Sequence, residues 1–400
     1  MVARGAECCG SEQRLSKHST RVVTFAHPSG GIAHYSYCLN SALQSLGTQI
    51  TSLTFDNPPY DLPDLPHSFN VVPHIHWETG GARKPLKAAR NLAAFQWAMR
   101  TADFFHPQWS VGPSFDRINW SLIHRAGIPI CYTVHDVIPH DRLPEDIEHH
   151  RWMHRTADFL FVHGETLKER LIEFSGVDAV KVKVIPIGNL IPLADFYRSW
   201  MPKTARASLG YKEDDFVVLF FGFIRPYKGL HTLIEACRIA RGTAGGSRLR
   251  LLIVGQSVAD SWKLDGYEAH ISEAGLSEAT STVVEYVPLS EVSRYYLASD
   301  VCAVPYRSGS QSAVVQLGYA YSIPVIATDV GGLREFIQDG RTGLVVPPDN
   351  PEAFAVAIST LLDDRALSSK IGANGRQYAE TELSWETIAR MTLEVYGSLR

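Results

Sequence analysis

The chain has 400 residues, more than one hydrophobic core usually serves, so two domains are the default expectation. Hydrophobic residues at 45% and charged residues at 20% are ordinary for a soluble globular protein. The formal net charge of -4 argues against wholesale nucleic-acid binding, which normally requires a strongly basic balance. The six cysteines include no CxxC pair, which argues against a zinc site. A reducing compartment, in which thiols stay reduced, fits these cysteines best.

The first twenty residues do not predict secretion. Residues 1–20 are polar and lack the apolar core of a signal peptide, so we expect a disordered leader. No run of about 18 apolar residues follows, so no segment is expected to span a bilayer. These features together favour a cytoplasmic protein.

From residue 21 onward, short apolar runs alternate with stretches of helical period, as in parallel α/β sheets. The runs that predict strands are 21–26, 49–55, 70–76, 103–106, 129–135, 159–163, 183–186, 216–221, 249–254, 282–286, 301–306, 324–328 and 343–346. The pattern restarts after the polar stretch 198–215. We therefore predict two doubly wound Rossmann-like domains, over residues 21–200 and 201–383, that face each other across a ligand cleft. Residues 384–400 predict an amphipathic helix that packs back on the first domain.

Histidines stand near predicted strand ends in the first half. His74, His76 and His106 suggest a metal site, because an HxH in a strand puts both side chains on one face. A metal hydrolase would need carboxylate and further ligands in register, and nothing in the second half supports one. We therefore expect no metal, and we expect His76 and His106 to line the cleft.

A basic segment follows these histidines. Arg83, Lys84, Lys87 and Arg90 stand at roughly helical spacing ahead of several aromatic residues. Such a pattern suits peripheral contact with an anionic membrane surface. The surface expected here is the inner face of the membrane. An ordinary solvated face is the alternative, and it is slightly favoured.

The second half opens with the sharpest local signal. Residues 216–233 read FVVLFFGFIRPYKGLHTL. A buried strand ends at Gly222, the loop offers Arg225 and Lys228, and Gly229 opens the next helix. Two cations beside a helix N-terminus suit a diphosphate, although a solvated basic turn explains this segment equally well when it is taken alone.

A longer block lies further along. Residues 301–346 read VCAVPYRSGSQSAVVQLGYAYSIPVIATDVGGLREFIQDGRTGLVV. In this order and spacing, the two blocks resemble the C-terminal domain of the large retaining glycosyltransferase family that includes bacterial sucrose, trehalose and mannosyl transferases. The first domain agrees, since HPSGGIAHYSYCLNSAL resembles the glycine loop of that family and GIPICYTVHDVIPHD resembles its strand ending in a cleft histidine. The resemblance covers roughly residues 20–400.

The resemblance implies a fold and a function. It implies the two-domain GT-B fold and the transfer of a sugar, with retention, from a GDP- or UDP-linked donor to a glycan or lipid-linked acceptor. Polysaccharide or glycoconjugate biosynthesis is the implied setting. The nucleotide-sugar is then a substrate, and neither a cofactor nor a metal is expected.

The resemblance also implies the roles of particular residues. His135 would contact the reacting sugar, although a buried histidine whose hydrogen bonds are satisfied is the alternative. Asp136 beside it, His76 and His106 would lie on the acceptor side of the cleft. Arg225 and Lys228 would stabilise the charge that develops on the leaving diphosphate. The expected contacts with the donor come from seven residues: Gly30, Gly31, Gly222, Ser310, Gln311, Ser312 and Glu335.

One departure from the family pattern matters. The family usually carries two glutamates eight residues apart, at positions that are Gly309 and Leu317 here. A one-residue shift gives Ser308 and Gln316, which are uncharged. Either the loop and the N–H groups of its helix position the donor instead, or catalysis is lost. The alternatives are therefore a silent relative, which binds nucleotide-sugar or partners an active transferase, and a nucleotide-sugar epimerase.

Overall fold

The computed structural model describes residues 19–25, 30–55, 65–66, 68–75, 92–93, 95–138, 144–257, 264–309 and 311–399. Several expectations from the sequence lie outside these residues: the first 18 residues of the leader, His76, Ser310 and the basic residues Arg83, Lys84, Lys87 and Arg90.

The first half alternates strands and helices. Its elements within the described residues are β1 (Arg21–Phe25), α1 (Gly30–Ser45), β2 (Gln49–Phe55), β3 (Asn70–Ile75), β4 (Phe104–Pro107), α2 (Pro113–Arg125), β5 (Cys131–Thr133), α3 (Pro144–Thr156), β6 (Phe159–Val162), α4 (Glu165–Ser175), β7 (Val182–Val184), α5 (Ile191–Phe196) and α6 (Pro202–Ser208). The strands pair in parallel in the orders β3-β2-β1-β4 and β5-β6-β7. A parallel bridge between Phe105 and Ile130 joins the two groups into one sheet.

The second half repeats this architecture. Its elements are β8 (Phe216–Phe221), α7 (Leu230–Arg241), β9 (Leu249–Val254), α8 (Leu264–Glu273), β10 (Thr280–Val283), α9 (Leu289–Ala298), β11 (Val301–Val304), α10 (Ala313–Ala320), β12 (Val325–Thr328), β13 (Gly343–Val346), α11 (Pro351–Asp363), α12 (Arg365–Thr381) and α13 (Trp385–Gly397). The strands pair in parallel in the order β10-β9-β8-β11-β12-β13. The predicted fold class, two doubly wound α/β units, is confirmed.

The apolar runs from which strands were predicted are buried, because helices cover both faces of a parallel sheet. In β8, the five residues 216–220 are each at most 1% exposed. In both sheets the strand order reverses beside the first strand, at β1/β4 and at β8/β11. Ligands bind outside the carboxyl ends of strands at such reversals, so the loops that follow these strands are where a site is expected.

The last helix, α13, contacts the first half of the chain. It packs against α1, and the Tyr396 ring stacks on Phe104 with ring centroids 4.7 Å apart. The Trp385 indole N–H donates to the backbone carbonyl of Asn189 at 2.7 Å. A Cβ on Gly188 would lie 2.5 Å from the Trp385 ring, so the backbone at residue 188 approaches the indole more closely than any side chain would allow.

The loops after β8 and β11 are pressed together at Gly229. Gly229 has φ +67 and precedes α7 directly. A Cβ at this position would lie 1.9 Å from the carbonyl oxygen of Pro305, in the loop after β11. Only glycine satisfies both the left-handed backbone and this close approach.

We predict that Gly229→Ala destabilises the protein far more than Gly210→Ala does. Gly210 also has a left-handed backbone, φ +76, but a Cβ there meets no atom within 4 Å. Gly210→Ala should therefore lose only about 1–2 kcal/mol of unfolding free energy, and Gly229→Ala at least about 2 kcal/mol more. Denaturant unfolding of both variants measures the difference, and equal losses would contradict the proposed packing of the two loops.

Candidate active site in the cleft between the two sheets

The carboxyl ends of the two sheets face each other across a cavity of about 310 Å³. The first half contributes Gly31, Ile32, Tyr35, His135, Asp136, Ile187, Gly188 and Leu190, and the rest of the chain contributes Tyr227, Lys228, Tyr306, Gly309, Gln311, Ser312, Ala313, Val314, Gln316 and Trp385. A second cavity of about 210 Å³ adjoins it, and its walls include Gly30, Gly222, Gly255, Tyr286, Val287 and Leu317. Lys228 and Gly31 line both cavities, so the junction between them lies at these residues.

Lys228 places a buried cation at this junction. The residue is 7% exposed, and its Nζ lies 5.5 Å from the centre of the Tyr306 ring. Nζ also lies 2.8 Å from where a Cβ of Gly222 would stand, so the glycine makes room for the ammonium. No carboxylate of the described residues pairs with it. Burial, and secondarily the nearby charge of Arg225, lower the pKa of Lys228 to about 8.

Arg225 stands beside Lys228 but outside the two cavities. The Lys228 backbone N–H donates to the Arg225 carbonyl at 3.0 Å, and the Arg225 guanidinium lies 6.0 Å from the Phe223 ring. The guanidinium is half-buried and lines neither cavity. The structure therefore brings the two predicted cations together, with only Lys228 in the cavity wall.

His135 follows β5 and lies against two aromatic neighbours. Its Nδ1 is 3.2 Å from Nε2 of His163, which follows the adjacent strand β6. The Tyr35 ring meets both imidazoles edge-on, with centroids 4.9 Å from His135 and 5.0 Å from His163. Burial holds the pKa of His135 well below its usual range, so its imidazole is neutral. Its Nε2 is buried and has no hydrogen-bond partner among the residues that the structure describes.

The loop before α10 reaches across the cleft. The Gln311 side-chain amide donates to the His135 carbonyl at 2.9 Å. Ser312 begins α10, and its Oγ accepts from the Val314 N–H at 3.2 Å. The loop thus holds the backbone at His135 and presents the helix N-terminus to the cavity, as expected for an anion site.

The positions of the missing glutamates lie on the cavity walls. Gly309 and Gln316 line the first cavity, and Leu317 lines the second. The Oε1 atom of Gln316 is buried, and no group in the described part of the chain hydrogen-bonds to it. Since α10 itself contains no acidic residue, polar and aliphatic groups take the places where the family pattern has carboxylates.

The glycines predicted to contact the donor lie in the walls of the two cavities. Gly30 and Gly31 begin α1 and line the cavities, and Gly222 lines the second cavity. Asp136 lines the first.

His106 and Glu335 are placed elsewhere. His106 is 1% exposed, and its ring nitrogens lie 2.5 Å from the Tyr396 hydroxyl and 2.8 Å from the Thr133 hydroxyl. It is part of the core and not of the cavity wall, because its position at the end of β4 faces α13. The Glu335 carboxylate accepts from the N–H groups of Glu165 and Thr166 at 2.7 and 2.9 Å, at the start of α4, and it lines neither cavity.

Tyr35 and His163 were not among the site residues predicted from the sequence. His163 directly follows the buried strand β6, and His135 follows the buried strand β5 by two residues, so a histidine just beyond a strand end was the available signal. Tyr35 lies within the apolar pattern of α1, where nothing distinguishes it from a core residue.

The described residues contain neither a membrane-spanning helix nor a metal-binding cluster. No helix within them is long and apolar enough to cross a membrane. Nor does that part of the chain contain a group of three or more histidine, cysteine or acidic side chains that would hold a metal ion.

Comparisons of the sequence with known proteins identify glycosyltransferases over both halves of the chain. Residues 202–378 match the glycosyl transferases group 1 family, and residues 29–188 match glycosyltransferase family 4. The D-inositol 3-phosphate glycosyltransferase of Kineococcus radiotolerans is 29% identical over 323 residues, which cover 75% of this chain and 72% of that protein. The protein of the same name from Paenarthrobacter aurescens is 30% identical over 281 residues, which cover 68% of this chain and 67% of that protein.

Solved structures of similar fold span nearly the whole chain. Sucrose-phosphate synthase from Thermosynechococcus elongatus has a TM-score of 0.71 and 22% identity, and the match covers 95% of this chain and 99% of that one. HepE from Anabaena, in complex with UDP and glucose, has a TM-score of 0.73 and 18% identity, over 95% and 100% of the two chains. The fold is GT-B, and the chain belongs to the group 1 glycosyltransferases, which transfer a sugar from a nucleotide-sugar donor.

We predict that binding of a nucleoside diphosphate weakens as the pH rises through the pKa of Lys228, about 8. The ammonium is charged below this pKa, so the attraction is present at low pH and is lost above it. Between about pH 7 and about pH 9 the dissociation constant should rise roughly tenfold, while the diphosphate itself stays ionised. Titration calorimetry measures this dependence.

Lys228→Arg is the matched control for this prediction. The guanidinium stays charged throughout the range, so the affinity of the variant should be independent of pH even if it is lower. A pH dependence that persists unchanged in Lys228→Arg would assign the titration to another group.

Proposed function

We propose that the protein is a retaining hexosyltransferase that uses a UDP- or GDP-linked sugar and a glycan or lipid-linked acceptor. The observation that carries the proposal is the buried Lys228 ammonium, which has no carboxylate partner among the described residues and stands where the two cavities meet. A buried cation without an internal counter-charge is costly, and an anionic ligand would compensate it. A diphosphate that bridges a sugar cavity and a nucleoside cavity fits this position.

The chemistry follows from where charge develops. When the bond between the sugar and the diphosphate breaks, negative charge grows on the leaving phosphate. Lys228, the adjacent Arg225 and the N-terminus of α10 would stabilise that charge in place of a divalent cation. We therefore propose a metal-independent reaction that needs no cofactor.

The sugar would lie in the first cavity, on the side of His135. Gly31 permits backbone approach at the start of α1, and Gln311 and Ser312 lie opposite. Asp136 lines the same cavity, and we assign it to the acceptor side. The nucleoside would occupy the second cavity, beside Gly222 and Gly30.

The relatives support the donor and the acceptor class. HepE was solved with UDP and glucose, which supports a UDP-linked hexose. The D-inositol 3-phosphate glycosyltransferases suggest a phosphorylated polyol as one acceptor to test beside glycans and lipid-linked sugars. Retention follows the family resemblance. A cytoplasmic setting in polysaccharide or glycoconjugate synthesis, with peripheral membrane contact through Arg83, Lys84, Lys87 and Arg90, stays a prediction.

A catalytically silent relative of the glycosyltransferases is the second candidate function. Gly309 and Leu317 stand on the cavity walls where the family pattern has carboxylates, and this observation favours it. Such a protein would bind the nucleotide-sugar through Lys228 without transferring the sugar.

The test is a transfer assay with UDP-, GDP- and ADP-linked hexoses against inositol phosphate, oligosaccharide and lipid-linked acceptors. Mass spectrometry should detect a glycosylated acceptor for one donor class, and NMR should show the same anomeric configuration in the product as in the donor. Lys228→Met should lower kcat by about a hundredfold or more, because it removes a group that acts on the leaving charge.

Glu213→Ala, an exposed change far from the cleft, should leave the rate unchanged. Tight donor binding without transfer to any acceptor would favour the silent relative. Isomerisation of the donor sugar would point instead to an epimerase.

A further inference from the structure

His135 lines the first cavity, called the sugar cavity below, and His163 lies behind it. The register of two neighbouring strands places both histidines. Cys131 pairs with Phe159 and Thr133 with Phe161 in the parallel ladder between β5 and β6. Continuing the same register for two residues puts His135 opposite His163. The two rings therefore meet at the carboxyl end of the sheet, with centroids 5.1 Å apart.

The hydrogen bonds of this pair determine which nitrogen carries each proton. Nδ1 of His163 lies 3.0 Å from the Ile185 carbonyl, which can only accept, so this nitrogen must be protonated. His163 is 2% exposed, and burial lowers its pKa to about 4, so the ring is neutral near pH 7. A neutral imidazole with a proton on Nδ1 has a lone pair on Nε2. That lone pair can accept from Nδ1 of His135, 3.2 Å away.

The protonation of His163 determines which nitrogen of His135 faces the first cavity with a lone pair. We propose that His163 is a positioning residue that holds His135 in the tautomer protonated on Nδ1, so that Nε2 of His135 offers only a hydrogen-bond acceptor to a hydroxyl of the donor sugar. This inference rests on the proposed function for the identity of the ligand, but the tautomer itself does not depend on it.

The surroundings hold the pair in place. Tyr35 lies edge-on against both rings, and Gln311 holds the backbone carbonyl of His135 from the opposite side of the cleft. Within the described ranges, Nε2 of His135 is buried without a hydrogen-bond partner, in a residue that is 8% exposed and lines the sugar cavity. An unpaired buried acceptor is costly until a donor reaches it.

The arrangement therefore selects for a group that can donate a proton in a hydrogen bond. A sugar hydroxyl can donate to Nε2, whereas a carboxylate or a deoxy position cannot. We expect donors with a hydroxyl at the position that meets His135 to be preferred over the corresponding deoxy sugar or uronic acid.

The direct experiment is NMR of the ligand-free protein with 15N-labelled histidine. The His135 signals, assigned by their loss in His135→Gln, should show a protonated Nδ1 and an unprotonated Nε2. In His163→Leu nothing accepts from His135 Nδ1, so the tautomer preference should be lost. His163→Gln can accept from His135 and donate to Ile185 with its two amide atoms, and it should preserve the preference.

Kinetics separates positioning from packing. His163→Leu should lower kcat/KM by about ten- to a hundredfold, and His163→Gln should stay within a few-fold of the parent rate. The loss in His163→Leu should shrink with a donor that lacks the hydroxyl, because the affected contact is then absent. Combining His163→Leu with His135→Gln should add little further loss.

Either of two results would overturn the proposal: a ligand-free His135 protonated on Nε2, or equal losses of activity in folded Leu and Gln variants. If the tautomer is found as described but no transfer occurs with any donor, the positioning role of His163 stands and the proposed function fails. The two failures are thus distinguishable.

Discussion

The cleft is organised around one costly feature, a buried lysine ammonium for which the part of the chain that the structure describes offers no counter-charge. Burial lowers the pKa of Lys228 from 10.5 to about 8, so holding the charge at neutral pH destabilises the free protein by roughly 3 kcal/mol. This penalty applies below the lowered pKa and fades between it and the normal value. The fold nevertheless holds the ammonium in place, since Gly222 makes room for it and Gly229 lets the next loop close over it. A site that keeps an unpaired cation at such a cost is suited to an anionic ligand.

The two halves of the molecule meet through contacts of different kinds. Near the cavity, the contacts are polar: Gln311 donates to the His135 carbonyl, and Glu335 accepts from the first N–H groups of α4. Glu335 contacts the helix that begins two residues after His163, so it supports the loop behind the sugar cavity without lining the cavity itself. The contacts of α13 are aromatic: the Trp385 ring lines the first cavity, and the buried Tyr396 ring stacks on Phe104. The two halves are therefore joined at the cleft by both polar and aromatic contacts.

The overall architecture could be predicted from the sequence because buried parallel strands leave continuous apolar runs that any reader of the pattern can find. The lysine and the glycines of the cleft could be predicted too, since their spacing around strand ends is local. What local patterns could not show is where a side chain points across the fold. His106 stands at a strand end like His135, yet it faces α13, which lies 290 residues further along the chain at Tyr396. Glu335 follows a glycine pair as expected, yet its partners are backbone groups about 170 residues away. His163 was passed over because its role depends on the register between two strands.

The central claim is that Lys228 is kept for an anionic ligand and not for stability. The measurement that tests it most directly is thermal unfolding of the parent protein and of Lys228→Met, each with and without a nucleoside diphosphate. We expect Lys228→Met to melt at or above the temperature of the free parent, because it removes a buried unpaired charge, and to lose the stabilisation that the nucleotide confers on the parent. A variant that melts well below the parent yet keeps the full nucleotide-induced shift would show that the lysine serves the fold, and that the phosphate site lies elsewhere.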